Sequence, residues 1–135
     1  MNNTMEKEQV LDLCKILSDK KAADIIAIDV ADKTIIAEWF IICSGRSVPH
    51  VKTLCDAVEE KCGELNLEVR RKEGYSDGRW IVLDFAHILV HIFHPDERQY
   101  YNMERLWIDE PESYIDYSQL YDSEECILFN QLRIK

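Results

Sequence analysis

Three histidines, His87, His91 and His94, fall within eight residues and are the first group whose type and spacing could do chemistry. On a helix, His87 and His91 would share a face and could hold a zinc ion. The residues around them read instead as strand, where four positions advance by roughly 13 Å and His94 turns to the opposite face. No Cys or carboxylate nearby completes a set of four ligands. These histidines are expected to be polar sheet positions or part of a functional surface, and neither a metal nor another cofactor is expected.

Cys43 stands before Ser44-Gly45-Arg46-Ser47, a joint that leads into a helix. A thiol near a helix N-terminus can be activated, but Cys43 ends a fully apolar run and no His-Asp pair is marked to serve it. A small buried hydrophobe is the expected reading. The joint's backbone amides could cradle a phosphate, yet it is neither G-x-x-x-x-G-K-[ST] nor G-x-G-x-x-G. Nucleotidyl transfer also needs two or three carboxylates projecting together to hold metal ions. The later strands offer Asp84 alone, and Asp24, Asp29 and Asp32 fall at strand ends where capping and turns explain them. A shape able to hold nucleotide chemistry lacks the residues to run it.

The elements that position these residues follow from the apolar pattern. Val10, Leu13, Cys14 and Leu17 make an amphipathic helix of residues 5–20. Asp24 to Val30 reads as a buried strand, and Trp39 to Cys43 is apolar on both faces, as in a strand covered on both sides. Ser47 is an N-cap candidate for a long helix carrying Val51, Leu54, Cys55, Val58, Cys62 and Leu65 on one stripe. Strand-like segments follow at Leu67–Lys72, Arg79–Phe85 and Ile88–Phe93, the last two linked tightly by Ala86-His87. The glycine-bearing loop 73–78 is expected to be exposed. Pro95 opens a single helix through about Ile108, with Tyr100, Met103, Leu106 and Trp107 as its core stripe and Arg98, Tyr101 and Arg105 on another face. The expected order is α-β-β-α-β-β-β-α, an α/β fold with a single mixed β-sheet flanked by helices.

Length and charge bound the function. The 135 residues are 47% hydrophobic and suit one domain with a real core. Lys+Arg number 16 against 26 Asp+Glu, a net charge of -10, which argues against direct gripping of nucleic acid and leaves open a basic protein partner. Residues 109–135 hold seven acidic and two basic side chains, so half of the net charge lies in the last fifth of the chain. Two units are expected: a domain over residues 1–110 and an acidic C-terminal tail, 111–135, of open structure. The five cysteines include no C-x-x-C pair, a pattern of reduced thiols. No run approaches the ~20 apolar residues of a membrane span, and residues 1–8 resemble neither a signal nor a transit peptide. The expected compartment is the cytoplasm, with no membrane partner.

The succession Trp39-Phe40-Ile41-Ile42-Cys43-Ser44-Gly45-Arg46-Ser47, Gly74, Trp80-Ile81-Val82-Leu83-Asp84, Val90-His91-Ile92-Phe93 and Arg98-x-x-Tyr101-x-x-Glu104-x-Leu106-Trp107 resembles the ribosomal silencing factor (Iojap) family. The ordered likeness spans roughly residues 5–110. The resemblance implies a nucleotidyltransferase-like fold without known enzymatic activity. It further implies a translation repressor that binds the large ribosomal subunit through ribosomal protein fourteen and sterically blocks joining of the small subunit. A homodimer when free is also implied. Two other readings stay open: a nucleotidyltransferase-like nucleotide-binding enzyme using the Ser44–Ser47 turn, and an interaction module whose acidic tail recruits another basic protein.

Candidate partner-binding residues are Tyr75, Asp77, Trp80, Asp84, Arg98, Tyr101 and Glu104. If Ile81 and Leu83 face the main core, Trp80 and Asp84 lie on the other face, where an exposed Trp is the type of anchor that dominates interfaces. If a helix covers that face too, Trp80 is core and Asp84 a buried hydrogen-bond partner. For Arg98 and Glu104 the alternative is a salt bridge within the chain, and Trp107 is assigned to the core.

Overall fold

The computed structural model describes residues 3–110 and 113–117. Helix α1 (Asn3–Asp19) leads into strand β1 (Ala23–Asp29), strand β2 (Trp39–Ser44) and helix α2 (Val48–Lys61), which closes in a 3-10 turn at Cys62–Leu65. Strands β3 (Arg71–Glu73), β4 (Trp80–Asp84) and β5 (Ile88–Phe93) follow, then the short helices α3 (Pro95–Tyr101) and α4 (Met103–Trp107) and strand β6 (Tyr114–Asp116). One six-stranded sheet runs β3-β4-β5-β2-β1-β6. Only the central β2–β5 pair is parallel, so the sheet is mixed, as expected.

The alternation of the strands divides the core in two. On one face, Ala27, Ile41, Cys43, Ile81, Leu83, Val90 and Ile92 pack beneath Val10, Leu13 and Leu17 of α1 and Val51, Leu54 and Val58 of α2. On the other, Ile28, Phe40, Ile42 and Phe93 are covered by Met103, Trp107 and Ile108 and by Val30 and Ala37 of the β1–β2 connection. Helix α2 starts where Ser47 predicts: its side chain accepts a bond from the His50 amide, with proline in the first turn.

Three details differ from the sequence reading. Residues 95–108 form two helices, because Asn102 adopts the left-handed conformation at φ 46, ψ 49 and caps the first of them. That break rotates the expected stripe apart: Met103 and Trp107 pack inward, while Tyr100 and Leu106 are 81% and 77% exposed. Strand β3 is only three residues long and begins later than expected. Finally, the expected boundary at residue 110 falls inside the sheet, since Tyr114, Ile115 and Asp116 pair with Ile28, Ala27 and Ile26, and Tyr117 is buried in the first core. The rest of the acidic tail lies outside the described residues. A chain ending at residue 110 is therefore expected to melt at least ~5 °C below one ending at residue 117, because it exposes the β1 edge and loses Tyr117. Equal melting of the two would separate β6 from the folding unit.

Candidate functional site

The second face of the sheet is unevenly covered. Met103 and Trp107 of α4, with Ile108, pack over its β5–β2–β1 half, where Phe93, Phe40 and Ile42 are buried. Along β4 the inward residues Ile81 and Leu83 are fully buried while Trp80, Val82 and Asp84 remain half-exposed, as does Leu89 opposite Asp84 on β5. Among the described residues, the two short helices after β5 leave this strip only partly covered.

Trp80 lies between the two sequence-based alternatives. Its ring stacks on Phe93, its cross-strand partner, with centroids 4.8 Å apart, and Tyr101 leans against it at 5.0 Å. The indole Nε1–H donates to His91 Nδ1 at 3.2 Å. Phe93, His91 and Tyr101 thus anchor Trp80, which is left only partly exposed. The anchor requires a neutral imidazole as acceptor, and burial supplies it by pulling His91 down to about 4. His91 therefore keeps one protonation state across the neutral range. Upstream, a Cβ on Gly74 would sit 2.0 Å from the Trp80 carbonyl oxygen, and Gly74 has φ +83. Only glycine lets the loop close onto the start of β4.

Asp84 accepts from the Ala86 amide at 2.7 Å and fixes the turn into β5. Arg98 and Glu104 form the internal salt bridge that was the alternative reading, at 2.7 Å, with side chains only 11% and 18% exposed. The same guanidinium donates to Ser44 Oγ at 3.1 Å. The pair thus spans the break at Asn102 and ties both helices to the end of β2. Tyr101, next to that break, is the exposed aromatic that reaches Trp80.

Tyr75 and Asp77 are not brought to this strip. Tyr75 packs against the first core, donates its hydroxyl to Asp56 of α2 at 2.9 Å and lies under Lys72. Asp77 is exposed on the same loop. Sequence reasoning passed over Val82 and Leu89, which flank Trp80 and Asp84. Their signal was the three-residue β4–β5 link: once register pairs Trp80 with Phe93, Val82 must pair with His91 and Asp84 with Leu89.

The groups that suggested chemistry are engaged elsewhere. His87 bonds Gln9, His94 caps the Asp96 amide, and His91 holds Trp80. Burial pushes the Cys43 thiol up to about 12, far from a nucleophile's range. At the joint before α2, the Gly45 amide donates to Phe93 O and the Arg46 amide to His50 Nδ1, so neither is presented to a phosphate. Among the described residues, Cys55, Asp56 and Glu59 bring possible metal-ligating atoms within 4.8 Å of one another. Lys72 already donates to Glu59 and Tyr75 to Asp56.

Residues 3–127 match the model of a protein family described as ribosomal silencing factor during starvation. The chain belongs to this family. Ribosomal silencing factors of Bacillus subtilis and Halalkalibacterium halodurans are each 37% identical to it. The first aligns over 73% of this chain and 84% of its own length, the second over 79% and 92%. A crystal structure of a Chromobacterium violaceum protein superposes with a TM-score of 0.72 at 29% identity, covering 82% of this chain and 91% of that one. A Bacillus halodurans crystal structure does so at 0.65 and 33% identity, covering 78% and 98%. The α/β fold with one mixed sheet is thus shared with solved structures. The silencing-factor match also runs past residue 110 and takes in β6.

Proposed function

We propose that this silencing factor represses translation without catalysis, by binding the large ribosomal subunit through ribosomal protein fourteen and sterically blocking the small subunit. The observation that carries the reading is the half-open strip of β4 and β5, where Trp80, Val82 and Leu89 expose apolar surface beside Asp84 and Tyr101. An anchored aromatic flanked by aliphatic side chains and an acid is the composition of an interface core facing a basic protein. The chain's net charge of -10 adds attraction to such a protein and repulsion from the surrounding RNA phosphate. Interfaces of about 800 Å² per partner are standard, an area one face of a domain this size can supply. Specificity then comes from protein contact, and occlusion needs only a complex that outlasts the encounter of the subunits.

In this reading Trp80, Asp84 and Tyr101 make contact, while Arg98 and Glu104 position α3 and α4 behind them. The protein works in the cytoplasm and pairs as a homodimer when free. No helix among the described residues is long and apolar enough to cross a membrane.

Sedimentation of purified ribosomal subunits tests the proposal. Added protein is expected to travel with the large subunit and to reduce the joined fraction in proportion to its occupancy. Undiminished joining at saturating protein, or migration with the small subunit, would overturn it.

A further inference from the structure

The first turn of α1 buries a carboxyl group that makes no salt bridge with a cation among the described residues. Glu6 is 5% exposed and lines a cavity of about 440 Å³ with Lys7, Asp29, Asp32, Glu38 and Tyr114. Glu6 Oε1 and Glu38 Oε2 are both shut off from solvent, and no donor among the described residues bonds either one. The Glu38 backbone is held in place. Its amide donates to His87 O at 2.8 Å and its carbonyl accepts from the Val30 amide at 2.9 Å, bonds that close the β1–β2 connection.

The surrounding charges do not resolve the conflict. From β1, Asp29 adds a further negative charge and accepts from the Ala31 amide, and Asp32 is exposed on the connection. Lys7 is exposed on α1, Lys33 is paired with Asp109, and the His87 ring is bound to Gln9. Two facing carboxyl groups in such a place need a positive charge between them, and the smallest is a proton.

We propose that Glu6 and Glu38 share one proton, that this proton clasps the first turn of α1 to the β1–β2 end of the sheet, and that its loss loosens the turn. The direction of titration agrees. Burial raises the Glu6 carboxyl most, and the hydrogen bond to Glu38 and the charges of Glu38 and Asp29 raise it further, to about 7. A carboxyl raised on folding holds its proton more tightly in the folded chain. Its stabilisation is complete below about pH 4.5 and is lost as pH climbs through about 7. Because β6 borders the same cavity through Tyr114 and Ile115, the clasp also bears on how the last strand is held.

Melting of the full chain between about pH 5 and pH 9 tests the clasp with the Glu6→Gln variant. The glutamine amide can donate to Glu38 without supplying a titratable proton. The two proteins are expected to melt alike at about pH 5, with Glu6→Gln roughly 5 °C or more higher at about pH 8.5. Parallel curves across the range would overturn the proposal. Titration of the Glu6 carboxyl carbon by NMR needs no variant: a midpoint above about pH 6 supports the clasp, and an ordinary midpoint near ~4.3 overturns it. Melts at high pH with magnesium or calcium against a chelator supply the last arm. A metal-dependent rise that Glu6→Gln lacks would mean that a cation, not a proton, closes the gap.

Discussion

Replacing Trp80 with alanine is expected to weaken binding to the large ribosomal subunit by about 30-fold, equivalent to about 2 kcal/mol, while the protein stays folded. Both halves of that expectation come from the same geometry. Trp80 is the large rigid aromatic of the β4 strip and stays partly exposed, so truncation removes apolar surface that a partner would gain from desolvating. The indole stacks on Phe93 and donates to His91, so truncation also costs about 1–2 kcal/mol of stability. A second variant separates the contributions. Trp80→Phe keeps the stack on Phe93 and loses the hydrogen bond, and is expected to retain most of the affinity. Equilibrium denaturation and subunit binding measured on both variants check this. Full binding by a folded Trp80→Ala protein would remove the strip from the interface, whereas an unfolded one would make Trp80 purely a core residue.

The parts of this fold legible in the chain are those written by short-range pattern. The period of α1 and α2, the cap at Ser47 and the runs 39–43, 80–84 and 88–93 all depend on neighbours within a few residues. Long-range pairing is different. Strand β6 is three residues among acidic side chains, and it becomes a strand only because the β1 edge offers unpaired backbone groups. The break at Asn102 was hidden for a related reason: a left-handed asparagine is rare, and the 3.6-residue pattern on either side seemed continuous.

The candidate site shows the same division. Alternation placed Trp80 and Asp84 opposite Ile81 and Leu83, but whether a helix covered that face depended on where α3 and α4 end. Tyr75 joined the candidates through proximity along the chain. Its side chain turns instead to Asp56, on the other side of the sheet. Glu6 carried no signal at all, since an acid in the first turn of a helix is ordinarily a favourable partner of the helix dipole. Only the arrival of Glu38 from the β1–β2 connection makes it a buried pair.

Arg98 is expected to matter most for stability. Replacing it with methionine keeps much of the side chain's length but leaves Glu104, 18% exposed, without its cation. Removing one member of a nearly buried pair costs about 3 kcal/mol or more, mostly from the charge left behind. Removing both charges avoids the orphan: the double variant Arg98→Met with Glu104→Leu is expected to return to within about 1 kcal/mol of the native protein. Denaturant unfolding of the two single variants and the double closes the cycle. An additive result would mean that each side chain acts alone. The functional readout differs from the stability readout, because the pair bridges the Asn102 break and sets how Tyr101 meets Trp80. A double variant that folds normally yet binds the large subunit more weakly would show that the salt bridge orients the aromatic strip. Native binding would restrict its role to holding α3 and α4 against Ser44 and the end of β2.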